Sequence, residues 1–362
     1  MKNIVSDKKI TDFRDLVNSN SGFIYTTYND RNGKNQWNLI CSCMDWLTVS
    51  IRHLQNAPVL DKNIDIRVMQ MFSLISSIDL VSESVTQLHR VFINPKTLPF
   101  SGERNCFSKR IFDEDDNTYF KSIRASFGAH PVNLNQSNSK RFASWPFNSH
   151  MNSGELTVNL YSSNVDENDL VMTLNSKELT EFLITRYNYL DVISQKIRDL
   201  YNSFTDSLKK QVIETRTNPL EQLYILRAES EKRLNSDYYN SIIEELIIIF
   251  ETELLQFNLK TIVSDYKRSL EILIDEIKTN LQTMEIVDLE NNSLLSPYSD
   301  LSRELSYELG KFYTWFYNDK YNDPLIHYYL ERFNKETNFK FNFSIDNSKN
   351  LLLLKVKLML LN

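Results

Sequence analysis

Glycine is scarce in this chain, with 6 residues in 362, and proline numbers only 8. Sandwiches and barrels of many short strands need both residues at their turns, so long helices are the natural alternative. Cysteine is limited to Cys41, Cys43 and Cys106. That odd, small set without metal-type spacing argues against a disulfide framework or a zinc site and fits a reducing compartment. Long apolar runs are also missing. Ile242 to Leu255 is interrupted by Glu244, Glu245, Glu251 and Glu253, and Leu351 to Leu361 is short and carries Lys355 and Lys357. Neither reaches the length of a membrane helix, and Met1 to Ile10 lacks the apolar core of a leader, so a cytoplasmic protein without membrane contact is expected. There is no glycine-rich phosphate loop. The acidic run Asp113 to Asp116 lacks the glycine of a calcium loop and reads instead as a helix N-terminus.

Positive charge is in deficit too: 41 basic against 47 acidic residues give a net charge of -6. That argues against nucleic acid coating the whole surface but leaves room for a local basic site. Hydrophobic residues make up 41% of the chain, enough to fill ordinary cores.

Apolar spacing predicts helices over about Asn35 to Leu54 and Lys62 to Phe92, then a connector punctuated by Pro95, Pro99 and Gly102. A shorter helix is predicted from about Thr118 to Ala129, ended by Pro131. Glu155 to Tyr161 alternates through Leu156, Val158 and Leu160, and Asp169 to Leu174 is a second short strand candidate, so a small β-hairpin insertion is expected. From Ser176 to about Glu214 one long helix is expected, followed by helices near 219–235, 237–257, 259–284, 299–318 and 323–334. Their mixed charge suggests a long-helix bundle of coiled-coil character. Phe339, Phe341, Phe343 and Ile345 alternate before an apolar run, which predicts a terminal β-hairpin. The expected fold is therefore mainly α. Its domains are a helical bundle over 1–135, a hairpin or linker over 136–175 and a C-terminal helical domain over 176–362.

One segment stands apart. Between Asp116 and Glu155 there is no acidic residue, while Lys121, Arg124, His130, Lys140, Arg141 and His150 fall there among Phe127, Phe142, Trp145 and Phe147. Cations pair with phosphates and flat rings stack under bases, so this composition suits single-stranded nucleic acid. A polar loop anchored by its aromatic residues accounts for the same composition. Glu83, on the second predicted helix, is a candidate to orient His130, although a solvated glutamate is the plainer reading. His53 and His89 each adjoin an arginine and are expected on solvated helix faces. His327, next to Tyr328 and Tyr329, carries no chemical signal.

Arg124 and His130 enclose five residues, Ala-Ser-Phe-Gly-Ala. With this spacing, near the end of a small helical bundle, the chain resembles the HEPN superfamily over about residues 30–131. The family's motif is an arginine and a histidine four to six residues apart; Ala125 after the arginine and Pro131 after the histidine depart from the residues common there. The resemblance implies a metal-independent, cofactor-free endoribonuclease or nuclease-like toxin of the kind found in antiphage abortive infection. Arg124 and His130 would be catalytic, and Lys121, Ser126, Lys140, Arg141 and Trp145 would contact RNA. A homodimer or higher homo-oligomer is implied, the C-terminal helices would sense, regulate or oligomerise, and a protein regulator is among the expected partners. The rival expectation is a non-catalytic helical scaffold, with Arg124 in a structural ion pair and His130 capping a helix.

Overall fold

The computed structural model describes residues 5–129, 134–136, 139–145, 156–233, 236–253, 257–285, 287–295, 301–318 and 323–361. The chain divides into two compact units, Met1–Asn202 and Ser203–Asn362.

The first unit opens with α1 (Lys8–Ser19) and α2 (Ser21–Tyr28), which precede the first helix the sequence pattern predicts. Ile10, Phe13 and Val17 form the buried stripe of α1. The Tyr187 hydroxyl ties this helix down: it accepts the Ile10 amide at 3.0 Å and donates to the Ser6 carbonyl at 2.8 Å. The predicted helix pair comes next, as α3 (Gln36–Gln55) and α4 (Ile64–Phe92). Asn35 and Asn63 cap them, each side chain accepting amides of the first turn. Their facing stripes, Leu47 and Ile51 against Ile75, Ile78, Val81 and Val85, form the centre of the core.

A connector leads to α5 (Asp116–Arg124), whose last turn widens into a π-helical turn over Ala125–Ala129. The expected hairpin is part of a larger antiparallel sheet, ordered β1 (Leu134–Gln136), β2 (Ser139–Ser144), β3 (Leu156–Ser162) and β4 (Leu170–Leu174). Leu156, Val158, Leu160, Met172 and Leu174 point from one face of the sheet into the same core as α3 to α5. So do Leu179, Phe182 and Leu183 of α6 (Ser176–Asn188). The sheet and α6, which the sequence pattern separates at 136 and 176, therefore share one core with the N-terminal helices. The long helix expected from Ser176 is broken at Tyr189, before α7 (Leu190–Lys209). There the Tyr189 hydroxyl meets His89 at 2.9 Å and its ring packs edge-on against Phe100, so tertiary contacts override a continuous helical pattern.

The division between the units falls within α7. The second unit contains α8 (Pro219–Arg233), α9 (Asp237–Glu251), α10 (Lys260–Thr283), the short α11 (Asn292–Leu295), α12 (Arg303–Tyr317) and α13 (Ile326–Glu336). The predicted terminal hairpin is overturned. Residues Lys349–Leu360 form a helix, α14, capped by Ser348. A continuous apolar run does not distinguish a buried strand from a buried helix by period, and here the helix wins. Every residue from Leu352 to Leu360 is buried. Two of these are lysines, and both ammonium groups have partners. Lys355 Nζ donates to the Asn342 carbonyl at 2.8 Å and to Asn347 Oδ1 at 2.6 Å, and Lys357 pairs with Glu245. The alternation before α14 is real, with Phe341 and Phe343 buried and Phe339 and Ile345 exposed. Its partner is a side chain rather than a strand. Asn334 donates to the Phe343 carbonyl at 2.8 Å and accepts the Phe343 amide at 2.6 Å. Among the described residues, no helix is long and apolar enough to cross a membrane.

Candidate functional site

The site is organised by the start of α5. Asp115 caps the helix by accepting the Thr118 amide at 2.9 Å. Asp116 is fully buried; it accepts the amides of Asn105 at 2.7 Å and Cys106 at 3.0 Å and pairs with Arg110. Burial alone would raise its carboxyl, but the two amides and the Arg110 guanidinium outweigh burial and hold it below the usual carboxylate range. Beside it lies a buried cation, Arg186, whose guanidinium sits 3.8 Å from the Phe182 ring centre and 4.5 Å from that of Phe100. It donates to Asn117 Oδ1 at 2.9 Å, so α5 is fastened at its first turn to α6.

With Tyr119, Phe120 and Ile123 buried, helical geometry turns Lys121 and Arg124 outward. Lys121 is exposed and the Arg124 side chain is 49% exposed. Arg124 Nε lies 3.0 Å from Asp79 Oδ2, on α4. Burial raises the Asp79 carboxyl above its ordinary range; Arg124 pulls it down, Glu83 pushes it up again and Lys121 lowers it. The net rise means that the ion pair does not fully offset the desolvation of Asp79. Asp79→Asn is therefore expected to leave thermal stability within about 1 kcal/mol of the wild type while freeing Arg124. A melting curve of the variant checks this, and a loss well beyond that range would make the pair a structural necessity.

The other expected site residues divide by face. Ser126 is buried and donates to the Ser122 carbonyl at 2.8 Å, as a helix-interior serine does. Phe127 is buried and stacks on the partly buried Trp145, with ring centres 6.3 Å apart. Arg141 is buried and held by the carbonyls of Leu160 at 3.3 Å and Asn168 at 3.1 Å, and by Glu167 at 3.3 Å. Ser126, Arg141 and Trp145 thus support the fold from inside, whereas Lys121 and Lys140 are exposed. His130 and His150 lie outside the described residues. His89 is buried rather than solvated. Its ring nitrogens meet Tyr189 and Thr97, each at 2.9 Å, and burial, then the Arg90 charge, lowers its pKa. His53 stays on an exposed face, 2.9 Å from the Ser73 hydroxyl, and Glu83 accepts from Gln87.

Asp79 is the residue that the sequence pattern misses. It falls within the predicted second helix, but no local signal links it to an arginine so far along the chain. Two concavities of the first unit lie elsewhere. One, of about 610 Å³, is lined by α1, α6 and α7, and two of its cations, Lys8 and Lys9, are paired with Asp12 and Asp191. The other, of about 550 Å³, is an apolar groove lined by residues including Leu54, Leu60, Met69 and Leu74. Among the described residues, no group of three or more His, Cys, Asp or Glu side chains is placed to hold a metal ion. No protein-family model matches the chain, and neither the curated proteins nor the solved structures contain a significant match.

Proposed function

We propose that the protein is a metal-independent endoribonuclease of the HEPN type, acting as a toxin in antiphage abortive infection. The observation that carries this reading is the place of Arg124. It ends α5 on the outer face, next to an exposed lysine. The π turn after it runs to Ala129, the residue before His130. Such turns recur at functional sites because the extra residue re-aims the side chains beyond it.

In the reaction, the guanidinium of Arg124 holds the scissile phosphate and stabilises the charge that builds on it. The His130 imidazole takes the proton of the ribose 2′-hydroxyl as that oxygen attacks phosphorus. The bond to the 5′-oxygen breaks, that oxygen takes a proton from solvent and the imidazolium returns its own to solvent, leaving a 2′,3′-cyclic phosphate and a 5′-hydroxyl. A cytoplasmic homodimer and a protein regulator acting through the C-terminal helices belong to this proposal. One observation favours the rival reading of a non-catalytic scaffold: the ion pair that already engages Arg124 with Asp79.

The test expresses wild type, Arg124→Ala and His130→Ala at matched levels in bacteria, with and without phage challenge, and resolves total RNA on a gel. Wild type should fragment RNA, and each variant should cut at least about 100-fold more slowly, the scale of a lost transition-state donor. Intact RNA in all three, with phage present, leaves the scaffold.

A further inference from the structure

We propose that the solvent face of the four-stranded sheet is a stacking platform for single-stranded RNA. The choice of RNA rests on the ribonuclease reading above; the platform itself rests on the sheet.

Side chains alternate along β2, so Lys140, Phe142 and Ser144 share the face opposite the buried Arg141. Phe142 pairs directly across from Tyr161 of β3, Ser144 from Asn159, and Asn159 in turn from Val171 of β4. Residues opposite one another in an antiparallel pair have Cβ atoms about 4.5–5.5 Å apart, which sets the two rings side by side. Phe142 is 37% exposed and Tyr161 43%, although a phenylalanine on a small sheet gains more by turning inward. The inward positions are already filled, by Leu156, Val158, Leu160, Met172 and Leu174. The two rings therefore face water.

The rest of that face is chemically selective. Thr157 and Thr173 pair across β3 and β4, and with Ser144 and Asn159 they supply hydroxyl and amide groups. Lys140 supplies a cation. None of these positions is acidic, in a chain whose net charge is -6. Two nearby acids are turned to the sheet's own framework. Glu167 binds Arg141 and the Ser162 hydroxyl, and Asp169 accepts the Ser162 amide at 2.9 Å. The core of a stable protein interface is more apolar than its rim, whereas this face sets Val171 among polar groups and two rings. Exposed rings beside a cation, with hydrogen-bonding groups between them, match unstacked bases and their phosphates.

The sequence places Arg141 and Trp145 among the RNA contacts by composition. The register reassigns that role to Phe142 and Tyr161, which lie on the opposite face.

The experiment uses the full chain and a fluorescein-labelled 2′-O-methyl oligouridine, which lacks the attacking hydroxyl and so reports binding without cleavage. Anisotropy titrations compare wild type, Phe142→Leu, Tyr161→Leu and Tyr161→Phe, with an RNA duplex as second probe. Leucine keeps apolar bulk and removes the π face, so each leucine variant should bind the single strand about ten-fold more weakly, while Tyr161→Phe stays within about two-fold. Duplex binding should not change among the variants. Cleavage of natural RNA by wild type and Arg124→Ala is measured in parallel. Leucine variants that bind the single strand like wild type overturn the platform, even if Arg124→Ala abolishes cleavage and the nuclease reading stands. Ring-dependent binding without any Arg124-dependent cleavage upholds the platform and removes the nuclease reading.

Discussion

Deleting residues 349–362 is expected to unfold the second unit. The segment contains α14, and α14 is buried on all sides rather than along one stripe. Leu352, Leu353, Leu354, Val356, Leu358, Met359 and Leu360 each have under a tenth of their surface exposed. At about 1.5–3 kcal/mol for each buried side chain, their loss removes on the order of 10–20 kcal/mol, against the roughly 5–15 kcal/mol of net stability that a domain has. Two further costs add to this. Glu245 loses Lys357, its buried cation, and keeps the hydroxyl of Tyr317 at 2.7 Å. Asn342 and Asn347 lose the Lys355 ammonium. Limited proteolysis with mass spectrometry reads the outcome. New cleavage should concentrate between Ser203 and Ser348, with a matching loss of helical circular dichroism. A truncated chain as resistant as the full one would show that the remaining helices close over the space and that α14 is dispensable. A milder variant separates packing from charge. Leu354→Ala should cost about 2–5 kcal/mol without touching either lysine.

The contrast between α14 and α4 shows which parts of this fold are legible in sequence. α3 and α4 present apolar residues at three- and four-residue steps, so their bounds agree closely with periodicity. The strand β3 emerges equally well from alternation, whereas β4 is marked by a short apolar run rather than by a period. α14 carries no period, because a helix enclosed on every side has no polar face to reveal it. The residues before it alternate like a strand, but the backbone partner is the side chain of Asn334, and no local pattern announces that.

The candidate site divides along the same line. The outward placement of Lys121 and Arg124 is a consequence of helical spacing. The burial of Arg141 is not legible in this way, because composition counts a cation without saying which face of the strand it occupies. Adjacent cations on a strand, Lys140 and Arg141, must split between faces, and Glu167 with two carbonyls decides which of them turns inward. Asp79 and Arg124 meet only because α5 packs beside α4, a tertiary fact.

Replacing Asp116 by alanine should cost about 3–5 kcal/mol, the scale for breaking a buried ion pair by removing one partner. The carboxylate has no exposed surface and satisfies two backbone amides and Arg110 at once. Alanine leaves those donors without an acceptor, at about 1–3 kcal/mol for each group that water does not reach. The effect is also functional. Asp116 fixes the connector to the first turn of α5, and the last turn of that helix carries Arg124. A loosened start therefore misplaces the guanidinium without altering it. The pH dependence identifies the cause. Asp116 titrates lower in the folded chain than in the unfolded one, so its contribution is complete above the unfolded value of about 3.9 and is lost as pH falls through the folded value. Urea unfolding of wild type and Asp116→Asn at pH 7 and near pH 3 tests this directly. The stability gap should be wide at neutral pH and shrink in acid, because a protonated aspartic acid presents one donor and one acceptor much as asparagine does. A gap of equal size at both pH values would place the contribution of Asp116 in shape rather than charge. Arg124 would then owe its position to the packing of Tyr119, Phe120 and Ile123 and to its ion pair with Asp79 rather than to the charge of Asp116.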